Sequence, residues 1–412
     1  DGEHKTYLMR SNNTISDYSL SKMTLRRGGV LSYNEQYETE PGLMLLYWQG
    51  ENITIDSITF TQAWTRYGGG NHNVGVGPEN GFIMRNCIFK DNVGSRDLLI
   101  GGFTDFDTLY VSNCIFDGLK PDSLNLDGLS VALGIGNDNA DVLIVINCLF
   151  TNNERQTITA SYGSWDNNVK KNYFINNTIV NNTKNDNLSI WLDGAYHYFY
   201  NCIIYDNNTG PYVILLTDVE HLLKSSLSIN NTLLEFGLDA ITVDNNCELF
   251  YDTTTNLDTN PIFLNMWEHP YMISDGSPCI NTGTLAKLPD FIKIPEFDLA
   301  GNPRVIGDSI DMGAYEWNST IVGINDIGPD YSKKEQFLRA SPNPFEWETN
   351  IEVRVENYEN INIEIFDNYG RKLKHLLTSH IGLYNNVLKW NGTDDNGKSL
   401  PHGIYHVVMF SN

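Results

Sequence analysis

Between residues 19 and 234 the chain is built from short runs in which every second residue is apolar, and most of them end on one phrase. The phrase reads apolar-x-apolar-x-Asn-Cys-apolar-apolar. It stands as FIMRNCIF ending at Phe89, LYVSNCIF ending at Phe116 and LIVINCLF ending at Phe150. Looser copies are SLSKMTL ending at Leu25, ITIDSITF at Phe60, YFINNTIV at Val180, YFYNCIIY around Cys202 and LSINNTLL at Leu234. Counted between the asparagine-equivalent positions Lys22, Ser57, Asn86, Asn113, Asn147, Asn177, Asn201 and Asn231, the steps run from 24 to 35 residues and average about 30. A second strand-like run precedes the phrase each time: Leu43–Trp48, Asn73–Gly77, Leu98–Gly101, Leu129–Leu133, Thr157–Ser161, Leu188–Leu192 and Val213–Thr217. Alternation of period two, bounded by Gly, Asn and Asp, predicts strands, and no run carries a helical period.

Two or three short strands recurring in one order every 30 residues or so predict a parallel β-helix, in which each repeat forms one coil stacked on the last. Propeller blades repeat at greater length, and leucine-rich repeats carry an LxxLxL pattern that is not present. Coils stack at the strand spacing of about 4.8 Å, so eight make a rod on the order of 40 Å long. Cys87, Cys114, Cys148 and Cys202 hold one place in their repeats, which Ile58, Thr178 and Thr232 fill elsewhere. That place reads as an internal stack of small side chains, because directly stacked parallel strands give poor disulfide geometry. Cys247 and Cys279 lie outside the column, and an oxidising compartment allows them to pair.

Residues 258–317 break the repeat. Asn260-Pro261-Ile262-Phe263, Ser277-Pro278-Cys279-Ile280 and Asp311-Met312-Gly313-Ala314-Tyr315-Glu316 resemble the closing segment of bacterial secreted right-handed β-helix proteins, which ends on a DxGAYE signature. The resemblance makes the expected helix right-handed, with 1–317 as its domain and 258–317 as a cap over the edge of the last coil. Residues 318–336 read as a linker.

The stretch 337–412 resembles the type IX secretion sorting domain and the related Ig-like domain of hook-capping proteins. Its matching elements are Pro342, Asn343, Pro344 and Phe345, then Gly370 and Arg371, then Trp390, and finally Gly403 and Tyr405. Alternation over Ile351–Val355 and Ile361–Phe366, with a turn at Asp395-Asn396-Gly397, independently predicts a small β-sandwich. The resemblance implies export by a Bacteroidota-like Gram-negative cell, contact with its secretion machinery through this domain, and an extracellular or outer-membrane location.

Composition sharpens the picture at one point. The chain has 412 residues and a net charge of −24; residues 1–317 carry 39 acids and 18 bases, a net of −21, against 12 and 9 in residues 318–412. Such a balance excludes nucleic-acid binding, which needs clustered Lys and Arg, and no apolar stretch is long enough to span a bilayer as a helix. Many of the acids fall in the turn between the two strand runs: Glu51, Glu79, Asp105, Asp107, Asp138, Asp141, Asp166, Asp193, Asp218 and Glu220. Stacked coils would bring them into a ridge, and of these Asp105, Asp107, Asp138, Asp141, Asp193 and Asp218 are candidate ligands for Ca²⁺, although Asp also favours turns without any metal.

Aromatic and polar loop residues form a second candidate set: Trp64, Arg66, Tyr67, His72, Trp165 and Tyr196 suit sugar rings or a protein partner. The functional expectation is therefore an exported surface protein, non-catalytic, that binds polysaccharide or cell-surface glycan or assembles head to tail into filaments. The alternative is a Ca²⁺-dependent polysaccharide lyase or a glycoside hydrolase acting on acidic polysaccharide. For that alternative no residue matches a family's catalytic set, and Arg96 and Arg155 are the only bases worth naming.

Overall fold

The structure, a computed structural model, describes residues 9–317 except 12–14, 17–18, 27–28, 31–43, 48–49, 66–73, 78–79, 95, 101–105, 122–129, 137–139, 163–169, 183–187, 208–211, 219–223, 265–268 and 308. It also describes 337–411 except 342–344, 346, 355–358, 368–370, 382–385, 402 and 404. The chain divides into two compact units, Asp1–Asn318 and Ser319–Asn412.

The first unit is a parallel β-helix. One coil shows the rule: Val131–Ile135, then Ala140–Ile146, a bend at Asn147, the short strand Leu149–Thr151, a second bend at Asn152, and Gln156–Ser161 opening the next coil. Among the described residues, equivalent strands pair in parallel into a nine-stranded and a sixteen-stranded sheet. The sixteen-stranded sheet bends through Gly50–Thr61, which runs along two faces. All seven strand-like runs that precede the repeated phrase lie in the nine-stranded sheet.

Left-handed backbone makes the bends. Lys22, Ser57, Asn86, Asn113, Asn147, Asn176, Asn201 and Asn231 have φ between 47° and 56°. Asparagine tolerates that region better than other residues with a side chain beyond Cβ, which is why it recurs in the phrase. One repeat differs from the sequence alignment by a residue. Ile146 pairs with Ile175, so Asn176 makes the bend, and Asn177 rather than Thr178 takes the cysteine place. There Asn177 accepts from the Cys148 N–H at 2.9 Å and donates to the Val145 carbonyl at 2.9 Å, so its burial costs no unpaired group.

Inside the coils, like stacks on like. Phe60, Phe89, Phe116 and Phe150 form a ladder with ring centroids 4.7–4.8 Å apart, the coil spacing expected of stacked strands. At the second bend, Asn153 donates to Asn182 at 2.9 Å and Asn182 to Asn207 at 2.8 Å, while each also donates to a strand carbonyl. This buried asparagine ladder satisfies main-chain groups that the sharp turn removes from the sheets.

All six cysteines are free, Cys247 and Cys279 included. Cys87, Cys114, Cys148 and Cys202 are fully buried, and each thiol lies 3.2–3.4 Å from the carbonyl two residues earlier. The neighbouring Cys114 thiol and burial push Cys87 up; burial raises Cys114, and takes Cys202 and Cys279 to about 12 and half-buried Cys247 to about 11. Thiolate, the reactive form, is therefore suppressed. A thiol reagent at pH 8 should modify less than one equivalent in the folded chain within minutes and six after denaturation; rapid reaction of two or more native thiols would refute the buried column.

The second unit is a small antiparallel sandwich. Phe337–Ser341, Thr349–Arg354 and Asn386–Trp390 form one sheet; Lys372–Ile381, Glu359–Phe366 and His406–Ser411 form the other. Ile351, Ile363, Ile365 and Trp390 are its buried centre. Phe345 and Tyr405 each set a ring 5.4 Å from Trp390, whose indole N–H donates to the Thr393 carbonyl at 3.0 Å. Arg371 is exposed and pairs with Asp367 at 2.7 Å, and exposed Gly403 lies beside Tyr405. Pro342, Asn343, Pro344 and Gly370 lie outside the described residues. The turn at Asp394–Lys398 closes with Gly397 N–H on the Asp394 carbonyl.

Candidate binding cleft on the flank of the coils

The closing segment does not cap the last coil. It runs back along the outside of the helix and lies against the first bends. The reason is in the outward residues of the strands it meets: Ile144, Ile146, Tyr173, Ile175 and Tyr200 on one face, Ile203 and Leu233 on the other. Leu288, Ile292 and Ile294 cover the first group; Ile273, Cys279 and Met312 cover the second. Burying both faces of these strands is a large apolar gain that a cap over one edge would forgo.

The outward amides of the bend asparagines act as a rail for this segment. Asn231 donates to the Thr282 carbonyl at 2.9 Å, Asn176 to the Asp311 carbonyl at 2.8 Å, and Asn147 to the Phe297 carbonyl at 3.0 Å. Asn201 does more: its amide donates to the Thr284 carbonyl at 2.9 Å and its oxygen accepts the Thr284 N–H at 2.8 Å. The signature residues fasten the same contact. Gly313, at φ +91°, lies where a Cβ would stand 2.7 Å from Ile203 and 2.8 Å from the Thr178 hydroxyl oxygen, so only glycine fits. Asp311 accepts the N–H groups of Asn281 and Trp317, and Glu316 is ion-paired to buried Arg304 at 3.1 Å.

Where the segment ends its contact with the rail, a cleft opens. It is a shallow space of about 510 Å³, exposed to solvent and lined by Asn86, Ile88, Asn113 and Ile115 on the coils and by 297–301 opposite. Asn86 donates to Asp56 at 2.9 Å, while the buried Asn113 Oδ1 has no hydrogen-bond partner among the described residues. The cleft's carboxylate, Asp298, is buried and turned into its own loop. It accepts from the N–H groups of Ala300, Asn302 and Glu316 and from the Asn302 amide. Amides, apolar side chains and the half-exposed Phe297 ring therefore face the opening, a set that recognises rather than transfers protons.

Of the described acidic candidates, Asp193 and Asp218 lie near each other on adjoining coils. Asp141 is exposed and lies 3.8 Å from Lys170, its neighbour in the next coil; Asp107 holds the matching place in the coil before. Asp193 is buried level with Ser161 and Thr217, whose hydroxyls donate to it at 3.3 and 3.1 Å. Half-buried Asp218 follows Thr217, near Cys247 and Asp244. The described acids thus interleave with Lys, Ser and Thr instead of forming one column, and among the described residues no three His, Cys, Asp or Glu converge closely enough to hold a metal ion. Asp105, Asp138 and the side chain of Asp107 lie outside the described residues.

Of the aromatic set, Arg66, Tyr67, His72 and Trp165 lie outside them, and Trp64 is described only as a strand residue paired with Gly29. Half-exposed Tyr196 sits on an outer strand face, paired with Lys171 and Ser226. Four strands of the ladder separate its strand from Gly50–Thr61. The rail itself was not singled out from sequence, although its signal was there: a polar residue that the bend geometry turns outward, repeated coil after coil.

No protein-family model, no curated protein and no solved structure matches the chain. No helix of the described residues is long and apolar enough to cross a membrane.

Proposed function

We propose that the chain is an exported β-helix protein of a bacterial cell surface, which acts in adhesion by binding and performs no chemistry on its ligand. One observation carries this reading. The flank cleft presents amide and apolar groups, and its carboxylate is fully occupied by main-chain N–H groups, so no acid–base pair faces a bound molecule there. The sorting-domain resemblance of residues 337–412 supports export through a type IX machinery, and the aromatic core around Trp390 makes that unit a folded module suited to surface retention. Glycan is a ligand class that half-exposed Tyr196 suits, with its flat ring and polar tip.

The test uses the full chain. Incubation with polygalacturonate and alginate, with and without Ca²⁺, should release neither unsaturated uronides nor reducing ends, while the chain adheres to host or bacterial surface material in a pull-down. Turnover of either polysaccharide would replace this reading with the lyase or hydrolase alternative.

A further inference from the structure

The rail continues beyond the segment that uses it. Asn231, Asn201, Asn176 and Asn147 each hold a main-chain carbonyl of the closing segment. Asn113 and Asn86 stand in the same column at the same backbone conformation, one and two coils further on, and line the open cleft. We propose that this cleft binds an extended polypeptide segment of another protein, which prolongs along the rail the contact the chain makes with itself.

Three features define that ligand. First, the Asn201–Thr284 contact shows what a bend amide does with a peptide unit: it pairs with the N–H and the C=O of one residue. The Asn113 oxygen has no partner among the described residues, and neither have those of Asn147 and Asn231, which hold the closing segment by the amide nitrogen alone. A ligand carbonyl is therefore the group the Asn113 amide would take up first. Second, Ile88, Ile115 and the Phe297 ring, 46% exposed, offer apolar contact on either side of the amides. An extended strand presents side chains to both sides in turn, so alternate apolar residues match this layout. Third, residues 1–317 carry a net charge of −21, so the segment is flanked by Lys or Arg. The same charge disfavours a second copy of the chain as the occupant.

This inference rests on the reading of the protein as a binder, and its test is separable from that reading. A random decapeptide display library is panned against the full chain, and the three most enriched peptides are synthesised with fluorescein for anisotropy titration. Enriched peptides should alternate apolar residues between basic ends and weaken as salt rises. Asn113→Gly keeps the left-handed bend while removing the amide, and Phe297→Ala removes an exposed ring without touching the carbonyl held by Asn147. Each should reduce affinity about tenfold, with melting temperatures near that of the parent. Failure to enrich any peptide overturns the proposal, as does enrichment of peptides indifferent to both variants. Two other outcomes overturn it as well: glycans on an array losing affinity in both variants while no peptide binds, and light scattering that shows dimers which Phe297→Ala dissolves. None of these four results implies turnover of polysaccharide, which alone would remove the binding function.

Discussion

Replacing Arg304 with alanine should destabilise the coiled unit by about 3–5 kcal/mol, the usual cost of stranding one partner of a buried ion pair. Arg304 is 2% exposed and Glu316 is fully buried. The guanidinium reaches Glu316 at 3.1 Å and donates to the carbonyls of Asp311 and Gly313 at 3.1 and 2.9 Å. Glu316 in turn accepts the Asp311 N–H at 3.0 Å. In the alanine variant the Glu316 carboxyl, which burial already raises to about 8, loses its cation and must take up a proton, and two carbonyls lose a donor. The strain falls on the closing segment, which is held to the coils by the same residues. The first consequence is therefore local opening: faster amide exchange over 297–316, and dye binding to the outer faces bearing Ile144, Ile175, Ile203 and Leu233. The double variant Arg304→Met with Glu316→Leu should recover part of the loss, since it removes the ion pair, while Asp298 and Asp311 keep the main-chain N–H groups they accept. A single-variant loss under about 1 kcal/mol, or exchange unchanged over 297–316, would show that the pair does not fasten the segment.

That segment also marks where the sequence was legible and where it was not. Strand positions and coil stacking followed from alternation and from the Asn-Cys phrase, because a left-handed bend and a small inward neighbour are both local demands. The register of YFINNTIV did not. Two adjacent asparagines satisfy the bend equally well in one dimension, and only pairing of Ile146 with Ile175 decides between them. The placement of 258–317 on the flank was readable in principle. LIVINCLF is apolar on both faces, the mark of a strand covered on two sides. FIMRNCIF carries a charge at one outward position, and both of its outward residues, Ile83 and Arg85, are exposed. The candidate cleft was harder, since it forms from two stretches nearly two hundred residues apart and from backbone carbonyls that no side-chain pattern announces. Of the acid series, the described members Asp141 and Asp193 lie beside Lys170 and beside Ser161 and Thr217, neighbours that only the pairing of successive coils reveals.

Acid should expose a second weak point, inside the coils. His197 is fully buried and points into a column of Leu143, Asn172 and Leu227 from the adjoining coils. Its Nδ1 lies 3.1 Å from the Asn172 amide nitrogen, and the Asn172 oxygen is held by the Tyr162 hydroxyl at 2.6 Å. Asn172 therefore presents its donor to the ring, so Nδ1 accepts and the proton sits on Nε2, which has no partner among the described residues. A second proton would set two donors face to face in an apolar interior. Burial accordingly holds the imidazole well below its ordinary 6.5, at about 3. The unfolded chain takes up that proton below pH 6.5 and the folded chain does not, so this contribution is intact above pH 6.5 and drains away as pH falls toward 3. Over the full window it amounts to roughly 4–5 kcal/mol, at about 1.4 kcal/mol per pH unit. His197→Leu continues the leucines on either side of the pair and removes the titration. Near pH 7 it should match the parent within about 1 kcal/mol, the net worth of the lost hydrogen bond. At pH 4 it should be more stable than the parent by roughly 3 kcal/mol, because other carboxylates titrate alike in both and cancel in the difference. Denaturant melts of parent and variant at pH 7, 5.5 and 4 measure that difference directly; a gap that stays constant across the three would mean His197 is protonated within the fold.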